Sequence, residues 1–222
     1  MEASALDARA PDRGHCDVAA AKVHAPLGGH PCPEQVGALV RIMRRDKVRW
    51  RPLEVQSLGR VSSALIVQQY VHTGPWPVSY RVGTVFAEPL YALRITADHT
   101  RQPIAYDPAC GTGAFDGRTI VASSRGCRMD TDVPDDVVAL ATRAHAVFPT
   151  IPLLGTDIVR EEATGQLYVL EVNASGWTFH LANERSDRIK REFGIDLSAQ
   201  FGGAAAMTRG IYRRLCASNE SS

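Results

Sequence analysis

The chain has 222 residues, of which 45% are hydrophobic and 22% charged, with a formal net charge of +1. That length suits one substantial domain or two lobes, and near-neutral charge gives no electrostatic reason to expect nucleic acid or an acidic membrane as partner. No apolar run reaches the roughly 18 residues of a membrane span. The opening Met1-Glu2-Ala3-Ser4-Ala5-Leu6-Asp7 lacks the basic-then-apolar order of a secretory leader. Cys16, Cys32, Cys110, Cys127 and Cys216 are too irregularly spaced for a disulfide framework, so the cytoplasm is the default location.

In chain order, residues 1–33 are rich in Ala, Pro, Gly and His without periodicity and read as a loosely ordered leader. His15, Cys16, His24, His30 and Cys32 suggest zinc by composition only, since no Cys-x-x-Cys pair is present. Residues 34–218 read as one folded unit. From Pro33 to Arg45, Val36, Leu39, Val40 and Met43 are spaced for one face of a helix. Strands are expected near 64–71, 79–86, 89–96 and 118–123, with a loop over 98–117. A helix is expected over 134–147, burying Val137, Val138, Leu140, Ala141, Ala144 and Val147, with Pro149 beyond its end and His145 at the surface. A polar helix near 183–193 and a last helix over about 197–217 follow, the latter carrying Phe201, Ala204, Ala205, Ile211 and Leu215 and weakened by Gly202, Gly203 and Gly210. Residues 219–222 form a frayed tail. Strands mixed with helices without strict alternation predict an α+β fold with antiparallel sheets.

Two motifs in this order carry chemistry. Tyr106-Asp107-Pro108-Ala109-Cys110-Gly111-Thr112-Gly113 is similar to the cofactor loop of adenine-type DNA methyltransferases, which bind S-adenosylmethionine. Such a loop leads straight into a helix and is later met by Asn-Pro-Pro-aromatic; here a turn and strand pattern follows, and no Asn-Pro-Pro exists. A Gly-rich surface loop is the better reading.

The second motif is a pair of strand-like runs, Leu153–Arg160 and Leu167–Asn173, separated by Glu161-Glu162-Ala163-Thr164-Gly165-Gln166. Alternation puts Glu171 and Asn173 on one face. With three or five unpaired residues in the connection, Asp157 would lie opposite Glu171 on that face. Acidic side chains within apolar runs need a partner, because an unpaired buried carboxylate is costly. Two carboxylates and an amide oxygen suit a hard cation shared with phosphates; the alternative is a solvated hairpin face.

These residues resemble the metal-binding end of the ATP-grasp family, in which a strand Asp, a strand Glu and an Asn two residues later hold Mg²⁺ against ATP. Other landmarks follow the family's order over roughly residues 60–182. Ile66-Val67-Gln68-Gln69-Tyr70-Val71 looks like the segment linking two lobes. Ser79–Val85 with Arg81, Leu90–Arg94, and Ser123-Ser124-Arg125-Gly126 look like the next two strands and a turn before a helix. The resemblance implies a two-lobe architecture with antiparallel sheets and flanking helices, either truncated or with an incomplete first lobe.

It also implies an ATP-dependent carboxylate–amine ligase working through an acylphosphate. Mg²⁺ (or Mn²⁺) would sit on Asp157, Glu171 and Asn173. ATP would lie against Val67, Gln68, Gln69, Tyr70 and Val71, with Gln69 standing where the family often has Glu. Lys22, before the Gly-rich Ala25–His30, would touch phosphate. Arg81, Arg94 and Arg125 would neutralise phosphate or a substrate carboxylate. Ser175, Gly176 and His180 would border the acceptor. Partners would be small-molecule or peptide carboxylates and amines, with no nucleic acid and no membrane. A nucleotide-binding protein without turnover is the alternative within the same resemblance.

Overall fold

The computed structural model describes residues 18–23, 40–44, 65–100, 103–104, 127–174, 181 and 183–219. Two antiparallel sheets contain its strands. The smaller joins β1 (Val18–Val23), β2 (Val40–Arg44) and β3 (Leu65–Gln69) in the order β2-β1-β3. Both β1 and β2 depart from expectation. β1 lies inside the stretch read as a loose leader, and β2 lies where a helix was expected. Val40 and Ile42 are β-branched, and the register Val18↔Arg44 to Lys22↔Val40 satisfies their backbone groups by pairing across strands. An apolar pattern this short fits either period.

The larger sheet contains β4 (Val78–Val85), β5 (Glu88–Ala97), β6 (Cys127–Asp130), β7 (Leu153–Arg160) and β8 (Leu167–Asn173), in the order β6-β5-β4-β7-β8. The strand expected over 118–123 lies outside the described residues. A two-residue turn joins β4 to β5, and Phe86 and Ala87 both take positive φ, 42° and 67°. That is the handedness a tight hairpin needs, adopted here without glycine.

Each face of this sheet has its own core. On one, Tyr80, Val82, Ala92 and Ile158 pack under Val137 and Ala141 of helix α1 (Asp135–Ala146). His145 belongs to the same buried stripe, not to the surface: Thr84 Oγ1 lies 2.7 Å from its Nδ1 and the Ile151 carbonyl 2.8 Å from its Nε2. Val147, expected to be buried, falls after the helix and is 72% exposed.

On the other face, Val85, Leu90, Tyr91, Leu93 and Met129 pack under Ile189 of α2 (Glu184–Phe193), Ile195, Leu197, and Ala206 of α3 (Gly203–Asn219). Asn183 caps α2, its Oδ1 accepting from the N–H groups of Arg185 and Ser186 at 3.1 and 3.0 Å. The single helix expected over 197–217 is instead a 3₁₀ turn (Leu197–Gly202) followed by α3. Phe201, Gly202 and Gly203 all have positive φ there, and Gln200 turns its side-chain oxygen onto the Ala92 N–H at 2.9 Å. No helix among the described residues is long and apolar enough to cross a membrane.

Candidate functional site

Register decides whether the acidic residues of the last hairpin meet. The connection between β7 and β8 has six residues, Glu161–Gln166, with Arg160↔Leu167, Val159↔Tyr168 and Ile158↔Val169 paired. Continued regularly, that register would bring Asp157 opposite Leu170. It slips by one at this point, and Asp157 pairs with Glu171, Thr156 with Val172 and Gly155 with Asn173. Leu170 is thus the extra residue of a β-bulge. The even-length connection and the bulge together restore the pairing that an odd connection would have given by itself. Asp157, Glu171 and Asn173 therefore share one face.

The row extends inward. Arg81 pairs with Asp157 in the β4–β7 register, so Arg81, Asp157 and Glu171 lie side by side across three strands. Arg81 grips Asp157 with both prongs: Nε donates to Oδ1 at 2.7 Å and Nη2 to Oδ2 at 2.5 Å. The two side chains are 22% and 23% exposed, which places the pair below the surface without sealing it. Burial works against the Arg81 charge, but Asp157, by charge and hydrogen bonding, together with Tyr91 and Glu171, outweighs it and holds the guanidinium above its ordinary range.

The next row is Tyr91, Gly83, Gly155 and Asn173. The Tyr91 ring lies across Gly83, where a β-carbon would come within 2.2 Å of Cε1. Burial, the largest influence, raises the Tyr91 phenol well above its usual range; Arg81 opposes this and Asp157 adds to it. Arg185, in the first turn of α2, feels Arg81, Arg188, Tyr91 and Asp157. Burial first, then repulsion from Arg81 and Arg188, lowers its pKa.

The hard-oxygen set fits Mg²⁺ or Mn²⁺ chemically. Two carboxylates and an amide carbonyl provide fewer than the about six oxygens such a cation takes, leaving positions for phosphate and water. Among the described residues, no three His, Cys, Asp or Glu side chains are grouped to hold a metal; the third oxygen of this set is the Asn173 amide. Each Asp157 oxygen already receives an Arg81 N–H and keeps a second lone pair for a cation, an orienting arrangement common around metal ligands.

The other candidates fall in different places. Arg94 pairs with Tyr80, one residue out of step with Arg81, and so lies on the opposite face. There its Nε and Nη2 donate to Asp130 Oδ2 at 3.1 and 3.0 Å, and its Nη1 to Asp132 Oδ2 at 2.7 Å, just ahead of α1. It is not brought to the carboxylate cluster. Lys22 occupies β1 opposite Val40 and Ile66. Val67, Gln68 and Gln69 lie in β3, followed by the half-buried Tyr70 and Val71. The chain then reaches His72, whose carbonyl accepts from the Glu162 N–H at 2.9 Å and whose Nδ1 lies 3.2 Å from the Glu162 carboxylate. The segment after β3 is thereby tied to the β7–β8 connection. Arg125, Ser175, Gly176, His180 and the loop Tyr106–Phe115 lie outside the described residues.

Tyr91 and Arg185 were not anticipated. Both left a signal: Tyr91 alternates with Leu93 along β5, and Arg185 precedes the buried Ile189 by one helical turn.

No family model and no curated protein matches this chain. Solved structures to which it is similar include ATP-grasp ligases. The ATP-grasp ligase PsnB, complexed with a phosphomimetic variant of a minimal precursor, Mg and ADP, shares 20% identity at a TM-score of 0.44, over 86% of this chain and 47% of that one. D-alanine–D-alanine ligase from Bacillus anthracis shares 13% at a TM-score of 0.46, over 92% and 56% respectively. PsnB with precursor peptide PsnA2 and AMPPNP shares 18% at 0.43, over 86% and 47%. This chain spans about half the length of these structures.

Proposed function

We propose that this chain binds a magnesium–ATP complex at the β7–β8 hairpin and serves as the nucleotide-binding part of an ATP-dependent ligase joining a carboxylate to an amine. The observation that carries this reading is the bulge-set register, which puts Asp157, Glu171 and Asn173 on one face beside Arg81. A bound Mg²⁺ or Mn²⁺ would neutralise phosphate charge and polarise the phosphoryl oxygens. Asp157, Glu171 and Asn173 would be its protein ligands. Arg81 fixes the Asp157 carboxylate, and its Nη1, outside the fork, is available to a phosphoryl oxygen. Catalysis in this reading is positioning and charge neutralisation: a substrate carboxylate takes the terminal phosphoryl group, and an amine displaces phosphate from the acylphosphate.

The same proposal gives Val67–Val71 to the adenine and Lys22 and Arg125 to phosphate. It gives Ser175, Gly176 and His180 to the acceptor. Arg94 is left out, because its ion pairs hold it on the far face.

The test is Glu171→Gln, read by thermal shift with ATP and Mg²⁺. At a ligand concentration about 100 times Kd, binding adds about 2.7 kcal/mol, or about 5–10 °C in a protein of this size. Wild type should show that shift and Glu171→Gln should lose it while unfolding cooperatively without nucleotide. An equal shift in both would refute the site. ADP release on supplying carboxylates and amines separates a ligase from a protein that only binds nucleotide.

A further inference from the structure

The Arg81–Asp157 pair accounts for the charges of those two residues but not for the guanidinium beside them. Arg185 sits where α2 crosses onto the Tyr91 face of the sheet, one turn before Ile189, which is buried against Tyr91 and Leu93. Its Nε is shut off from solvent and has no hydrogen-bond acceptor. Among the described residues no carboxylate forms an ion pair with it: Asp157 is committed to Arg81, and Arg188 has Glu192 at 3.9 Å. Two cations, Arg81 and Arg188, act on it unfavourably. A buried donor left unmade costs more than a satisfied one contributes, and Arg185 lies near enough to Arg81 to feel its charge while the nearby Asp157 carboxylate is already held by Arg81.

We propose that Arg185 is an oxyanion-binding residue, completing with Arg81 a two-guanidinium clamp whose ligand is a terminal phosphoryl group or a substrate carboxylate. The planar fork suits either anion. Arg185 acts on the same Arg81 and Asp157 that stand beside Glu171, so the clamp would hold the reacting anion next to the cation that the hairpin would hold. The choice of nucleotide probes rests on the ligase reading; the anion site itself does not.

The test uses the full chain. Arginine Nε–H resonances are followed by ¹⁵N NMR, that of Arg185 being assigned as the one missing in Arg185→Lys. The probes are inorganic phosphate, succinate, Mg²⁺–ADP and Mg²⁺–AMPPNP. Calorimetry then compares wild type, Arg185→Gln and Arg185→Lys. Loss of the charge-assisted contact should weaken the relevant probe by about tenfold or more, with Lys recovering part of it.

If Arg185→Gln weakens AMPPNP but leaves ADP within about twofold, the anion is the terminal phosphoryl group. If succinate moves the resonance and neither nucleotide affinity changes, it is a carboxylate. Phosphate moving the resonance in a wild type that binds no nucleotide would sustain the clamp and overturn the ligase reading. Nucleotide binding equally to wild type and Arg185→Gln, with no probe moving the resonance, would overturn the clamp and leave the ligase reading standing. Equal losses for ADP and AMPPNP accompanied by a fallen Tm would mean a packing role, and would also overturn it.

Discussion

Gly83 is the position at which one added methyl group should do most damage to both fold and site. A β-carbon there would approach Tyr91 Cε1, Cζ and Cδ1 to 2.2, 2.6 and 2.7 Å. Carbon atoms pack at about 3.5–4.0 Å, so the ring would have to retreat by roughly 1.3–1.8 Å. It has nowhere to go, being 1% exposed and packed among Leu90, Leu93, Ile189 and Leu197. Overpacking a dense core costs about 1–3 kcal/mol, and displacement of this size belongs at the upper end. For Gly83→Ala we expect about 3 kcal/mol, or a Tm lower by about 6–12 °C, measured by urea and thermal unfolding. Tyr91→Leu creates its own defect but removes the ring, so Gly83→Ala should cost markedly less in that background. A Gly83→Ala loss below about 1 kcal/mol, or the same loss with and without Tyr91, would refute the argument.

Two further outcomes concern stability. Burial lowers the His145 pKa, although the hydrogen bond to Ile151 opposes it. The unfolded chain therefore takes up this proton first, and the stability of the neutral, buried form is full above about pH 6.5 and declines as pH falls below it toward the folded value. His145→Gln should flatten the stability–pH profile in that window; an unchanged slope would exclude His145 as its source, and burial lowers His72 in the same direction. Ala87→Gly relieves a left-handed residue in the β4–β5 turn and should raise stability by about 0.5–1 kcal/mol, as chemical denaturation would show; a loss would mean the turn tolerates Ala87 without strain.

The alternating faces of the last hairpin were legible because Glu171 and Asn173 stand out against Leu170 and Val172. The phase between β7 and β8 was not, since composition does not separate an odd connection from an even one followed by a bulge. Arg94 shows the same limit: its strand was located, but its face depends on pairing with Tyr80. The α1 stripe could have been extended, because His145 follows Val137 and Ala141 at steps of four and Val147 does not. The five residues of β2 are too few to tell a period of two from one of 3.6. The unsatisfied Nε of Arg185 depends on where its helix packs on the sheet, and nothing local in the sequence states that.

Among the described residues β8 is an edge strand, laddered to β7 alone and interrupted by Leu170. Arg81 and Asp157, by contrast, come from strands with neighbours on both sides. The site therefore has an anchored half and a compliant half: Glu171 and Asn173 can move by small sideways adjustments of a rim, while the fork behind them keeps its place. Coordination distances can then change as charge builds up in a reaction without breaking the sheet, and amide exchange should be faster at Glu171 and Asn173 than at Arg81 and Asp157.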